Sequence, residues 1–342
     1  MMKIPQDIPD LELMMADQMS VPPQYLPGPY WEKKSQRAAK DIIKYGLDNF
    51  RGPDSEIATS FADSHLIDRR FTYNTGVRKL LAKILGIYPL SSIFNSQVAL
   101  TRHYFDKSVL ARSMFANHSE EIAHLLANFS IPEHSNKGGS EDFSQINGKN
   151  ISNHYLDLLH QHKLLSEHID FTQANSFFEI GAGFGVNIHL LIENYPNIKK
   201  FIYLDIPPNL HVGIQYLKSF YGASVHNYSV NRKNKSIAFN SSDELEIICI
   251  TPPQIEDLDV EIDIFQNAHS FLEMTEDIVS NYATHIQKIL SQNSSIALVS
   301  YENFSDSTLR AASLPEFFNR KFIHFKEPHL WVPDEEYYFF IS

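Results

Sequence analysis

Ser176-Phe177-Phe178-Glu179-Ile180-Gly181-Ala182-Gly183-Phe184-Gly185 decides how the rest of the chain is read. Its first half is an apolar run without polar alternation, the pattern of a strand buried on both faces of a parallel sheet. The run ends in an acid and three glycines at alternate positions. A helical pattern follows at once, marked by Val186, Leu190 and Leu191 and closed by Tyr195-Pro196. Strand, glycine turn and helix form the mononucleotide-binding half of a doubly wound α/β fold. Glycine suits such a turn because the backbone must bend tightly and admit a ligand where a Cβ would stand.

The spacing bears on the ligand. A dinucleotide turn, G-x-G-x-x-G/A, wants a small residue at position 186, which here is Val186. The form present is E-x-G-x-G-x-G. It fits a ligand without a pyrophosphate, whose amino-acid end lies over the turn and whose ammonium is met by Glu179. S-adenosyl-L-methionine is such a ligand. A second buried strand, Phe201-Ile202-Tyr203-Leu204, ends in Asp205, placed to accept hydrogen bonds from ribose hydroxyls. Enzymes that bind NAD share that acid, so it points to a nucleoside without choosing between cofactors.

Three blocks together are more specific. Phe178 to Gly185, then Tyr203-Leu204-Asp205-Ile206-Pro207-Pro208-Asn209-Leu210, then Asn267-Ala268-His269-Ser270-Phe271-Leu272-Glu273-Met274 resemble the signature blocks of the sugar O-methyltransferases. These are class I enzymes dependent on S-adenosylmethionine. The stretch from Tyr30-Trp31 to Asn49-Phe50-Arg51 is similar to that family's N-terminal helix, so the resemblance extends thinly over most of the chain. It implies a Rossmann-like α/β fold, S-adenosylmethionine as cofactor, and a sugar or glycosylated small molecule as acceptor.

Composition sets outer bounds. The 342 residues can bury a substantial core, and 43% of them are hydrophobic, as in an ordinary globular chain. No run approaches the roughly 20 apolar residues of a membrane span. Residues 1–10 lack a basic-then-apolar leader pattern, from which a cytoplasmic location is expected. Asp and Glu number 41 against 29 Lys and Arg, giving a net charge of −12. Such a field repels a phosphate backbone, so nucleic acid is not the expected partner. The single cysteine, Cys249, lies in an apolar strand and reads as an inert core thiol.

Residues 1–150 read as a helical N-terminal region. Val77, Leu80, Leu81, Ile84 and Leu85 keep helical spacing before Gly86, and Ile122, Leu125, Leu126 and Phe129 repeat the stripe. Ala38, Ile42 and Tyr45 mark an earlier helix. Pro5, Pro9, Pro22 and Pro23 suggest an extended arm at the start, and residues 130–150 a polar loop or domain boundary. This region is expected to cap the acceptor pocket and to offer a homodimer surface. Residues 151–342 read as the cofactor-binding domain. Its third strand is either 223–228 or, preferred, 245–251. The fourth begins at Ile262 and the fifth at Ile296. Phe322 to Phe325 and Tyr337 to Ile341 form a closing hairpin, expected in a class I methyltransferase and not in an NAD-binding domain.

Ligands of doubly wound sheets lie beyond the carboxyl ends of the strands, at the switch in strand order. Glu179, Gly181, Ala182, Gly183, Gly185, Asp205 and Ile206 should therefore frame the cofactor, with Thr251, Pro252 and Asn267. The loop from His269 to Glu273 should face the transferable methyl group. His269 is the candidate general base, since histidine titrates near neutral pH. Glu273 and Glu302 are candidate catalytic carboxylates. His160-Gln161-His162 resembles a chelate, but residues i and i+2 of a helix point to different faces. No metal is expected. Other acceptors (a non-sugar small molecule, a lipid, a protein), a nucleotide-dependent oxidoreductase and a non-catalytic binding module are the competing readings.

Overall fold

The computed structural model describes residues 7–51, 118–131, 137–140, 143–146, 149–304, 308–329 and 336–342. These fall into two compact units. One holds the residues up to Asp48 together with 161–328 and 336–342; the other holds 49–160 and 329–335.

An eight-stranded sheet organises the first unit. Its strands are β3 (Ser176–Ile180), β4 (Lys200–Leu204), β5 (Val225–His226), β6 (Glu246–Ile250), β7 (Ile262–Ala268), β8 (Leu290–Ser300), β9 (Ile323–Pro328) and β10 (Glu336–Ile341). They lie in the order β5-β6-β4-β3-β7-β8-β10-β9. The first six positions are parallel, whereas β10 runs antiparallel to both β8 and β9. Every residue of β3, β4 and β6 is buried, which is why those segments read as unbroken apolar runs. Helices α5 (Val186–Asn194), α6 (Pro207–Tyr221) and α8 (Glu276–Ile289) make the crossovers. The fold is thus a Rossmann-like, mostly parallel sheet closed by an antiparallel hairpin, the class I methyltransferase arrangement.

Both candidates for the third strand are strands. β6, the preferred one, pairs with β4, and the two-residue β5 lies outside it at the sheet edge. A short helix, α7 (Tyr228–Asn231), links the two.

From residue 7 on, the proline-dotted start holds a helix where an extended arm was expected. Residues Ile8–Gln18 form helix α1, with Asp7 accepting from the Asp10 amide at 3.2 Å as its cap. Pro9 stands in the first turn, where helix amides have no partner to lose. Leu11 and Met14 are fully buried, and α1 packs against α6. Helix α2 (Pro29–Tyr45) begins in the same way, behind Gly28.

In the second unit, β1 (Phe143–Ile146) and β2 (Lys149–Ser152) form an antiparallel hairpin within the stretch expected to be a loop. The local sequence is too polar to announce it. Helix α3 (Ser119–Asn128) bears the stripe expected there, and Ile122 packs with Ile151 and Leu156. Leu156 belongs to α4 (Asn153–Ser166). The Arg51 side chain is buried and donates to the Lys137 carbonyl and the Ser152 hydroxyl. The helix expected around 77–86 lies outside the described residues.

Candidate active site

The carboxyl ends of β3, β4, β6 and β7 meet where the strand order reverses. β4 and β6 lie to one side of β3, and β7 to the other. A crevice opens at such a point because successive crossovers leave in opposite directions.

Gly181, Gly183 and Gly185 all adopt positive φ, at 79°, 61° and 80°. Gly181 meets a steric demand as well, since a Cβ there would stand 2.3 Å from the Ser270 hydroxyl. Between them, Ala182 is buried and its carbonyl accepts from the Gly185 amide. The turn is tied to the neighbouring strand. The Gly183 amide donates to Asp205 Oδ2 at 2.8 Å, and the Tyr203 hydroxyl donates to the Gly183 carbonyl.

Asp205 follows the last residue of β4. Its Oδ1 accepts from the Ile206 amide at 2.7 Å and the Asn209 side chain at 3.3 Å. A carboxylate offers about four acceptor positions. Three are thus used within the protein, and one remains. Burial pushes Asp205 up to about 7 against the pull of these donors. Glu179, also buried, accepts from Asn187 Nδ2 at 3.1 Å through Oε1, while its Oε2 has no partner. Burial raises it to about 8, with the Asp205 charge adding to the effect.

Thr251 and Pro252 follow β6. Both are buried, and Thr251 caps the short helical turn Pro252–Asp257 in reciprocal bonds with Gln254. On the other side, Asn267 locks the loop after β7. Its amide donates to the Ile180 carbonyl at 2.9 Å and to Ser270, and its oxygen accepts from the Phe271 amide. The side chain is engaged in holding that loop to the end of β3.

That lock accompanies an uncommon backbone. His269 has φ 68°, the one positive value outside glycine among the described residues. An L-residue held there is strained, and such strain gathers at functional sites. The His269 ring lies flat on Tyr301, centroids 5.0 Å apart and planes 8° from parallel, with Tyr337 at 5.4 Å. It makes no capping bond to the turn Ser270–Glu273.

Glu273 ends that turn and accepts from the Trp31 indole N–H. Burial raises its carboxyl, whereas Trp31 and the Lys34 charge lower it. Its charge is felt at Asp205, so the two acids share one electrostatic neighbourhood. The N-terminal segment fits closely here, for a Cβ on Gly28 would stand 2.5 Å from the Glu273 carbonyl oxygen.

The proposed residues therefore separate. Glu179, the glycine turn, Asp205 and Ile206 form one hydrogen-bonded group, and His269 and Glu273 share the adjoining loop. Glu302 is exposed, and no described contact joins its carboxylate to His269. Trp31, Tyr301, Tyr337 and Asn187 touch the candidate residues but were not among those predicted from sequence. Only Asn187 carries a local signal, as a polar residue in the first turn after the glycines.

No family model matches the chain, and no curated protein is similar to it at a significant level. Among solved structures, the backbone is similar to an S-adenosylmethionine-dependent methyltransferase of Leishmania major. That likeness has a TM-score of 0.40 and 12% identity, over 65% of this chain and 82% of that one. Mitomycin 7-O-methyltransferase gives a TM-score of 0.38 and 13% identity, over 91% and 99% of the two chains. An O-methyltransferase from a trans-AT polyketide synthase of Brevibacillus brevis, solved with S-adenosyl-L-homocysteine, gives 0.30 and 15%, over 42% and 43%. These likenesses are partial, and the class of the fold stands on the strand order and the terminal hairpin.

Proposed function

We propose that this protein is an S-adenosylmethionine-dependent O-methyltransferase acting on a hydroxyl of a sugar or glycosylated small molecule. One observation carries the reading. Two buried acids, Glu179 and Asp205, flank a turn of three positive-φ glycines at the switch point of a sheet that ends in an antiparallel hairpin. The unpartnered Oε2 of Glu179 suits the cofactor's ammonium, and the remaining acceptor position of Asp205 suits a ribose hydroxyl. Ile206, Thr251 and Pro252 would border the nucleoside, and Asn267 would hold the β7 loop against it.

When bound, S-adenosylmethionine supplies a methyl carbon on a sulfonium centre, open to in-line displacement. The protein's share is to align the acceptor, exclude water and take the hydroxyl proton. His269 is the base in this scheme, its ring held by Tyr301 and Tyr337. Glu273, shielded by Trp31, would accept from another hydroxyl of the acceptor and so orient it. Residues 7–48 would act as the acceptor cap, a role supported by the Trp31–Glu273 bond and the fit of Gly28. The homodimer and the cytoplasmic location belong to the same proposal. Sedimentation of the purified protein tests the first, and localisation of the tagged chain the second.

Calorimetric titration with S-adenosylhomocysteine and with NAD, side by side, tests the cofactor. Binding of the first alone is expected, and binding of NAD alone would end the reading. A panel of sugars, glycosides and non-sugar alcohols, assayed with labelled S-adenosylmethionine, tests the acceptor.

A further inference from the structure

His162, from the His-x-His pair of α4, takes part in a buried chain that ends at the glycine turn. Its Nε2 lies 2.8 Å from Asn187 Oδ1, and Asn187 Nδ2 donates to Glu179 Oε1 at 3.1 Å. All three side chains are at most 3% exposed. The directions follow from chemistry. The Asn187 amide must turn its NH₂ to the carboxylate, so its oxygen accepts, and His162 donates from Nε2 as a neutral ring. Burial favours that neutral form, lowering His162 to about 4. Phe171 and Tyr195 hold the ring from the sides, with centroids at 5.5 and 6.3 Å.

At the other end, Glu179 Oε2 is buried without a donor. Gln266, opposite Glu179 in the β3–β7 register and 1% exposed, likewise has its Oε1 buried and unpartnered. Both oxygens are out of water and neither receives a donor from another protein group, so once Glu179 is charged the arrangement is costly unless a ligand brings donors. A primary ammonium carries three.

Resting on the cofactor reading above, we propose that His162 and Asn187 are positioning residues that aim Glu179 at the α-ammonium of the cofactor's methionine end. The chain then selects ligands that carry that amino-acid end over those with the nucleoside alone. Asn187 has a second effect. Its donated bond favours the charged form of Glu179, against burial and the Asp205 charge. The titratable groups that face Glu179 are Asp205 and Tyr203 from β4, with His162 behind Asn187. Affinity for the ammonium therefore rises with pH as Glu179 ionises. Affinity for the nucleoside does not share that dependence.

The test compares S-adenosylhomocysteine with 5′-methylthioadenosine, which has the same nucleoside and no amino-acid end. Their Kd ratio, measured by calorimetry between pH 6 and 8.5, cancels any titration at Asp205. In the wild type the ratio should move in favour of S-adenosylhomocysteine as pH rises. Asn187→Leu should weaken S-adenosylhomocysteine by about tenfold and leave methylthioadenosine within about twofold, with the pH midpoint displaced upward. His162→Phe, which keeps a ring between Phe171 and Tyr195, should give a smaller change in the same direction. Equal losses for both ligands, or a wild-type ratio flat across pH, would overturn the positioning chain. Wild-type protein that binds neither ligand would overturn the cofactor reading itself.

Discussion

The Gly183 amide donates to the Asp205 carboxylate at 2.8 Å, so the turn after β3 and the end of β4 are one hydrogen-bonded unit. On the proposed function, cofactor binding and local order would be coupled at Asp205. Asp205→Asn keeps the size of the side chain and removes its charge, whereas Asp205→Ala removes both. The alanine variant should weaken S-adenosylhomocysteine binding by about 1–3 kcal/mol. Calorimetry on protein whose circular dichroism is unchanged checks this, and unaltered affinity would remove Asp205 from the site.

Gly181→Ala should be destabilising even without ligand. The new Cβ would stand 2.3 Å from the Ser270 hydroxyl and 2.5 Å from its Cβ, at a φ of 79°. Ser270 cannot swing aside freely, because Asn267 and the Ile180 carbonyl hold it. Overpacking and backbone strain together should cost about 2–4 kcal/mol in urea denaturation. Adding Ser270→Gly should recover the part due to the clash.

His269→Ala should leave cofactor affinity nearly intact and lower turnover. If His269 takes the acceptor proton, kcat should fall roughly 10²–10⁴-fold, and the wild-type rate should climb through the range where histidine titrates. A variant with wild-type rate and pH profile would leave alignment alone as the source of catalysis. Glu273 and Glu302 would then be the next positions to replace.

Trp31→Phe removes one donor from Glu273 and keeps an aromatic ring at position 31. We expect a higher acceptor KM with unchanged affinity for S-adenosylhomocysteine, as for lost ground-state binding. Steady-state kinetics with a methylated acceptor in hand would decide. An equal effect on both ligands would place Trp31 in the general fold rather than in the cap.

The buried ionisable groups predict how ligand-free stability depends on pH. Glu179 and Asp205, raised to about 8 and about 7, hold protons in the folded state that the unfolded chain has lost. Stability from these acids is therefore greatest at low pH and declines as pH rises to about 8. His162 and His211, both lowered to about 4, act oppositely below the ordinary histidine value of 6.5. Of these four groups only the acids still titrate in the folded state above 6.5, so their share of Tm should fall between pH 6.5 and 8. Glu179→Gln should flatten that slope in thermal scans. A wild-type Tm that climbs over the interval would contradict the burial of these carboxyls.

The sheet was legible in the sequence because its central strands are buried on both faces. β3, β4 and β6 announced themselves as apolar runs, and the closing hairpin as two such runs with no room for a helix between them. Helix α1 was misread because Pro9 marks a helix start as well as an extended segment, and only the Asp7 cap separates the two. The β1–β2 hairpin was missed because polar strands carry little alternation. The candidate residues adjacent in sequence to strand ends lie together at the switch point, since topology alone places them. Trp31, Tyr301 and Tyr337 were missed because tertiary packing brings them in from far along the chain. The linkage of His162 to Glu179 was equally hidden, since His-x-His suggests a chelate and says nothing of a third residue.

The bond between Trp31 and Glu273 joins positions 242 residues apart. During synthesis at about 5–20 residues per second, Trp31 would be made roughly 12–50 s before its partner exists. α6, against which α1 and α2 pack, and the β7 loop are both made later in the chain. These two helices thus wait for partners that are made well after them. A chaperone that shields the apolar faces of these helices on the ribosome should raise the yield of folded protein more than one that acts after release.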